Sequence, residues 1–259
     1  MDNAHKPKVA VYKFSSCDGC QLSLLNLEDE LLDLASAVDI AYFLEATRTV
    51  KPGPYDVGIV EGSITTPHEE KRIAEVRREC KFLIALGTCA TAGGIQSLRN
   101  FTDTTHLAET VYPHPEYLHY LDKVTPVSAH VSVDMEIWGC PVNKYMVLEA
   151  IAALLQNRKP NFPAYSICME CKWSGAVCVL VSQGIPCLGP ATRAGCGAIC
   201  PSNGRGCYGC FGPWSAANLD SLAPTLKSME RYPGEAVRLL RNFSGSAPAF
   251  HKAADAINK

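Results

Sequence analysis

Lys8-Val-Ala-Val-Tyr-Lys-Phe-Ser-Ser-Cys-Asp-Gly-Cys20 is the stretch on which the fold turns. A β-rich run, Lys8 to Phe14, stops at a small polar loop holding Cys17 and Cys20. A helical pattern follows, with Leu22, Leu25, Leu32 and Ala35 near one face. The same unit recurs along the chain. Phe82 to Leu86 reads as a strand that breaks at Gly87-Thr88-Cys89 into a helix start. Val131 to Ile137 reads as another, running into Trp138-Gly139-Cys140-Pro141 and a helix to about Gln156. Val38 to Phe43 and Tyr55 to Val60 supply two more strands, and Pro67 opens a charged helix in a favoured first-turn position. Short apolar strands alternating with helices predict an α/β fold, a flavodoxin-like doubly wound parallel sheet.

Outward from that sheet the chain changes character. Residues 100–130 are polar and carry four of the seven histidines, which predicts a surface insertion. Lys159-Pro160-Asn161-Phe162-Pro163 reads as a boundary between a first domain, 1–160, and a second, 161–259. From Gly184 to Pro213 there are eight glycines and four prolines, so long regular elements are not expected there. The C-terminal domain is therefore predicted to be mostly irregular, with a tail of helical patterns from about Asn218, broken by Pro224 and Pro233.

Composition limits the partners. A formal net charge of −2 gives no reason to expect nucleic acid or an anionic membrane. The longest apolar stretch, near Val147 to Leu155, is too short to span a bilayer. Met1 to Lys6 has neither the apolar core of a secretory signal nor a twin arginine, so a cytosolic location is expected. Thiols stay reduced in that compartment, and thirteen cysteines there argue for metal over disulfides.

Twelve of those cysteines sort into three sets of four, leaving Cys80 over as a buried, inert thiol. Cys17, Cys20, Cys89 and Cys140 each follow a predicted strand, and ligands of open parallel sheets sit at the carboxyl ends of the strands. Gly19, Gly87 and Gly139 would let the backbone approach a bulky inorganic core. A redox CxxC of thioredoxin type is the alternative for Cys17 and Cys20. Cys168, Cys171, Cys178 and Cys187 form the second set, and Cys196, Cys200, Cys207 and Cys210 the third. Four thiolates suit one zinc ion or one [4Fe–4S] cube, so paired zinc knots remain open. Between Pro186 and Asn218 the only charged side chains are Arg193 and Arg205, a lining suited to redox clusters.

Cys17-Asp-Gly-Cys20, Val60-Glu-Gly-Ser-Ile64, Gly87-Thr-Cys89 and Gly139-Cys-Pro141 resemble the small subunit of [NiFe] hydrogenases. The runs Pro186-Cys-Leu-Gly-Pro-Ala-Thr-Arg-Ala-Gly-Cys-Gly-Ala-Ile-Cys-Pro201 and Gly204-Arg-Gly-Cys-Tyr-Gly-Cys-Phe-Gly-Pro213 resemble its cytosolic multimeric branch, in particular the sulfhydrogenase delta subunits of NAD(P)-linked enzymes. The resemblance implies a flavodoxin-like domain with the proximal [4Fe–4S] cluster on Cys17, Cys20, Cys89 and Cys140. It implies a medial cluster on Cys196, Cys200, Cys207 and Cys210 and a distal one on Cys168, Cys171, Cys178 and Cys187. With Cys200 as fourth ligand, the medial centre is expected to be [4Fe–4S] where periplasmic relatives often hold [3Fe–4S]. The resemblance places the nickel–iron centre only in a partner large subunit, and implies further iron–sulfur or flavin subunits that reduce NAD(P).

Several residues keep two readings. Glu61 is a candidate proton relay or a cap on the next turn. Arg193 and Arg205 either offset cluster charge or are solvated. His106, His114, His119 and His130 read as surface or interface histidines, their spacing being irregular for a metal. Gly204-Arg-Gly-Cys-Tyr-Gly209 matches a dinucleotide fingerprint by letter but lacks a leading strand. Three rival functions remain: a hydrogenase small subunit linked to a deazaflavin or disulfide reductase, a quinone-oxidoreductase-type subunit, and a zinc-binding interaction module. The quinone type usually has adjacent cysteines where Asp18 and Gly19 separate Cys17 from Cys20.

Overall fold

The computed structural model describes residues 6–258; the Met1–His5 stretch that entered the reading of the N-terminus lies outside them. Two compact units follow one another in the chain, divided at Ile137 and Trp138, ahead of the 159–163 boundary suggested by the sequence.

The first unit is built on a five-stranded, all-parallel sheet. Its strands are β1 (Lys8–Lys13), β2 (Asp39–Phe43), β3 (Tyr55–Glu61), β4 (Cys80–Leu86) and β5 (Met135–Ile137), in the order β2-β1-β3-β4-β5. That is the flavodoxin order, whose switch point lies between β1 and β3. Inward-facing Ala10, Tyr12, Val60, Leu83 and Ala85 pack with Ile73 and Val76 of α3 (Pro67–Glu79) into one core. The start of α3 is specified locally. Thr66 caps it, Pro67 takes the first helical position, and Glu69 closes a capping box.

Two expectations shift here. The leucine-rich segment after Cys20 forms two helices, α1 (Gly19–Leu25) and α2 (Asp29–Ala37), because Glu28 reverses the backbone at φ 56°. The break changes the buried face, so Leu24, Leu27 and Leu34 are inside while Leu22 and Leu32 are exposed. β5 is shorter than the 131–137 run: the Asp134 carboxylate accepts the Leu83 N–H at 2.7 Å, and the ladder starts only after it.

After β4 come α4 (Gly87–Ala92) and α5 (Thr104–Val111). The histidine-bearing segment is anchored as well as exposed, since Val124 and Val127 are fully covered. His106, His114 and His119 are exposed as expected. His130 differs: its ring pairs with Thr125 at 2.7 Å and with Glu70 at 3.4 Å.

The second unit contains α6 (Lys144–Leu155), α7 (Ile167–Trp173), α8 (Val179–Gln183), α9 (Ile199–Ser202), α10 (Leu219–Ser228), α11 (Glu235–Leu240) and α12 (Pro248–Ile257). Residues 184–213 hold only short helical turns, as their glycine and proline content predicts. The tail is more regular than expected, for α10 continues through Pro224. It is also no appendage. Leu222, Leu226, Val237, Leu240, Phe250 and Ala254 share one core with Leu188, Cys187 and Cys207. The cysteine-bearing loops thus depend on the three C-terminal helices for their apolar backing.

Candidate functional site

In the first unit, Cys17 and Cys20 follow the carboxyl end of β1, and Cys89 lies on α4 directly after β4. The ends of β1 and β3 are locked beside Cys17 by the paired backbone bonds between Ser15 and Ser63, at 3.2 and 2.9 Å. Glu61, the last residue of β3, is 1% exposed. Its Oε1 accepts the Cys20 backbone N–H at 3.0 Å, and its Oε2 accepts the Gln21 side-chain amide at 2.8 Å. The carboxylate therefore grips the first turn of α1, earlier in the sequence, not the turn after it. Burial raises its pKa, partly opposed by these two donors.

Gln96 is a second tie that sequence reasoning missed. Its amide N–H donates to the Ser15 carbonyl and, at 3.2 Å, to the Ser63 hydroxyl, while its Oε1 lies 3.5 Å from Cys89 Sγ as acceptor. One side chain thereby joins both strand ends to Cys89. Burial raises the Cys89 thiol, the Gln96 bond opposes that, and Cys17 adds to it. Cys140 belongs to the second unit and follows β5 in the chain, on the loop Trp138–Pro141. Gly139 serves its own turn: at φ 151° a Cβ there would meet Val142 Cα at 2.7 Å, so packing of the loop on itself requires the glycine.

The second unit gathers the remaining cysteines. Cys168, Cys171, Cys178 and Cys187 all line one cavity of about 110 Å³, whose walls include Val179, Leu180, Pro190 and Pro201. Backbone donors reach the sulfurs around it. Gly189 N–H lies 3.4 Å and Cys207 N–H 3.1 Å from Cys187 Sγ, and Gly209 N–H lies 3.4 Å from Cys207 Sγ. Such donors stabilise thiolate and tune a cluster's potential. Cys196, Cys200 and Cys210 form the neighbouring group: burial pushes the Cys210 thiol up to about 12, with Cys196, Cys140 and Cys200 adding to it. Cys207 is 3% exposed and stands between the two sets, beside both Cys187 and Cys210. Arg193 turns to other work, stacking over Trp138 at 5.1 Å and donating to the Pro213 carbonyl at 2.9 Å. Arg205 is exposed.

Four thiolates suit either one zinc ion or one [4Fe–4S] cube. All thirteen cysteines are thiols. A cube spreads its four thiolates over four irons, and a cavity ringed by four cysteines and N–H donors fits it. Burial raises Cys168, Cys187 and Cys196 and pushes Cys171 up to about 11, so bare thiolates are disfavoured here. A metal or cluster held by these sulfurs would supply the missing positive charge, and its binding would release the thiol protons. Cys80 stands apart, buried behind Gly58 and pushed up to about 11 by burial.

The chain is similar to subunits of known hydrogenases. The family model described as NADH ubiquinone oxidoreductase, 20 Kd subunit, matches residues 17–154. The sulfhydrogenase 2 subunit delta of Pyrococcus furiosus is 37% identical over 92% of this chain and 99% of its own length. A subunit of the vhu F420-non-reducing hydrogenase of Methanocaldococcus jannaschii is also 37% identical, over 79% of this chain and 81% of its own. A chain in the crystal structure of an NAD+-reducing [NiFe]-hydrogenase in the H2-reduced state superimposes with a TM-score of 0.57 at 26% identity, covering 61% of this chain and 96% of that one.

Proposed function

Since this chain belongs to the family of the NADH ubiquinone oxidoreductase 20 Kd subunit, and within it to the small subunits of [NiFe] hydrogenases, we propose that it carries electrons between the nickel–iron site of a large subunit and an NAD(P)-reducing partner. Three [4Fe–4S] clusters form the path in this reading. Cys17, Cys20, Cys89 and Cys140 hold the proximal one, Cys196, Cys200, Cys207 and Cys210 the medial one, and Cys168, Cys171, Cys178 and Cys187 the distal one. The observation that carries the reading is the cavity ringed by all four proposed distal ligands.

The clusters supply one-electron chemistry, and the chain supplies their setting. The cores around Cys187 and Cys207 exclude water, and backbone N–H groups hold the sulfurs in place. The large subunit supplies the site that handles H2, and Glu61 is the candidate proton relay beside the proximal ligands. Among the described residues no helix is long and apolar enough to cross a membrane.

Similarity to a subunit of an F420-non-reducing hydrogenase favours a second reading, in which the acceptor is a disulfide reductase or other non-nicotinamide carrier. A quinone-type role is less favoured, because the family model ends at residue 154 and eight cysteines lie beyond it. The deciding experiment is anaerobic purification with the large subunit, followed by iron and sulfide analysis. About twelve of each per small subunit are expected from three cubes. Stoichiometric zinc with negligible sulfide would sink the reading.

A further inference from the structure

Glu170 lies on α7 between two proposed distal ligands, Cys168 and Cys171, yet its carboxylate works elsewhere. Its Oε1 accepts the Gly195 N–H at 2.8 Å and its Oε2 the Ala198 N–H at 3.1 Å. These two residues bracket Cys196, a proposed medial ligand. Glu170 is absent from the walls of the cavity formed by the distal set.

The turn it grips is unusual. Gly195, Gly197 and Ala198 all have positive φ, at 137°, 70° and 54°. For Ala198 that conformation carries a steric cost that glycine avoids. The strained backbone is pinned from both sides, because the Asn143 side-chain amide donates to the Gly195 carbonyl at 2.6 Å. Both oxygens of Glu170 are spent on the turn. The Gly195 N–H is thereby directed to a carboxylate, the Ala198 N–H is shared between that carboxylate and Cys196, and a negative charge is held beside Cys196.

Donors to sulfur and nearby net charge are the levers by which a protein sets a cluster's potential. N–H groups pointed at sulfur stabilise the more negative, reduced state. A carboxylate that shares one of those donors and adds its own charge acts in the opposite sense. We propose that Glu170 is a positioning residue that holds the Gly195–Ala198 turn and keeps the centre on Cys196, Cys200, Cys207 and Cys210 at a lower potential than its ligand set alone would give. One helix then carries two ligands of one cluster and the electrostatic control of the next. This inference rests on the cluster assignment proposed above.

The test uses the complete complex, with its large subunit, and potentiometric titration followed by electron paramagnetic resonance. In Glu170→Gln the side-chain shape is kept and the charge is lost. The medial centre should move to a more positive potential by about tenfold in its reduced-to-oxidised ratio, or about 59 mV for one electron. The distal centre should move less, and iron content should stay at the wild-type level. Ala198→Gly, which relieves the backbone cost without touching the charge, should leave both potentials in place. If Glu170→Gln assembles without its medial iron, the double variant E170Q/A198G restores a relaxed turn, and its potential is read instead. An unchanged medial potential in a fully loaded variant overturns the proposal. So does loss of medial iron from both variants, since the carboxylate is then only a scaffold. Absence of iron–sulfur centres from the wild-type complex would instead refute the cluster assignment, a distinct result.

Discussion

The Oε1 of Glu61, at the carboxyl end of β3, accepts the backbone N–H of Cys20 at 3.0 Å, tying a fully buried carboxylate to the first turn of α1, just past Cys17. The bond links strand order to chemistry, because β1 and β3 are neighbours in the sheet only through the parallel crossover. A carboxylate in that position either moves protons or holds the loop, and the two roles separate experimentally.

Glu61→Gln keeps an acceptor for Cys20 and removes the titrating group. As a proton relay, Glu61 should be needed for turnover with H2 while iron content stays unchanged. The expected result is a loss of activity of at least about tenfold, in keeping with general acid–base contributions of 10²–10⁴. Equal turnover in variant and wild type would leave Glu61 as a clamp alone.

Removing the fourth medial ligand should alter one centre only. Cys200→Ala is expected to leave a three-iron cluster on Cys196, Cys207 and Cys210, visible as a new signal in the oxidised complex by electron paramagnetic resonance. No change in cluster type would exclude Cys200 from the ligand set.

Cys80 should behave unlike the other twelve. Burial favours its neutral thiol and pushes its pKa up to about 11, so its thiolate fraction at neutral pH is very small and rises only as pH climbs toward that value. Cys80→Ala should preserve full iron and sulfide content, and Cys80 should resist alkylation near pH 8 until the chain is unfolded. Iron loss in Cys80→Ala would show that a ligand has been misassigned.

The helical tail should be as necessary to the cysteine loops as the cysteines are to the clusters. Phe250 is 1% exposed, and its ring lies where a Cβ on Gly209 would come within 3.0 Å. The Ser244 hydroxyl also donates to the Gly209 carbonyl at 2.9 Å. Phe250→Ala is expected to cost about 3–5 kcal/mol, read as a lowered thermal unfolding temperature and as iron lost from the purified complex. A variant with wild-type stability and iron content would contradict this dependence.

The residues themselves determined the alternation of strand and helix, because a strand ending in a small-residue loop is a local pattern. Thr66, Pro67 and Glu69 mark the start of α3 within four positions, and the structure follows them. The cysteine spacing likewise grouped Cys168, Cys171, Cys178 and Cys187 as one expected set, and these four line a common cavity; the chain's family was legible in its motifs. Tertiary structure decided what depends on distant segments meeting. Nothing near Glu170 in the chain points to Gly195 and Ala198, and nothing near Gln96 points to Ser15. The same holds for Phe250, whose role exists only because α12 folds back on the loop of Gly209 and shares a core with Cys187 and Cys207. Helix period and turn preference act over a few residues and can be read along the chain. A hydrogen bond between loops, or the burial of one ring against a remote glycine, depends on which surfaces meet once the whole chain is packed.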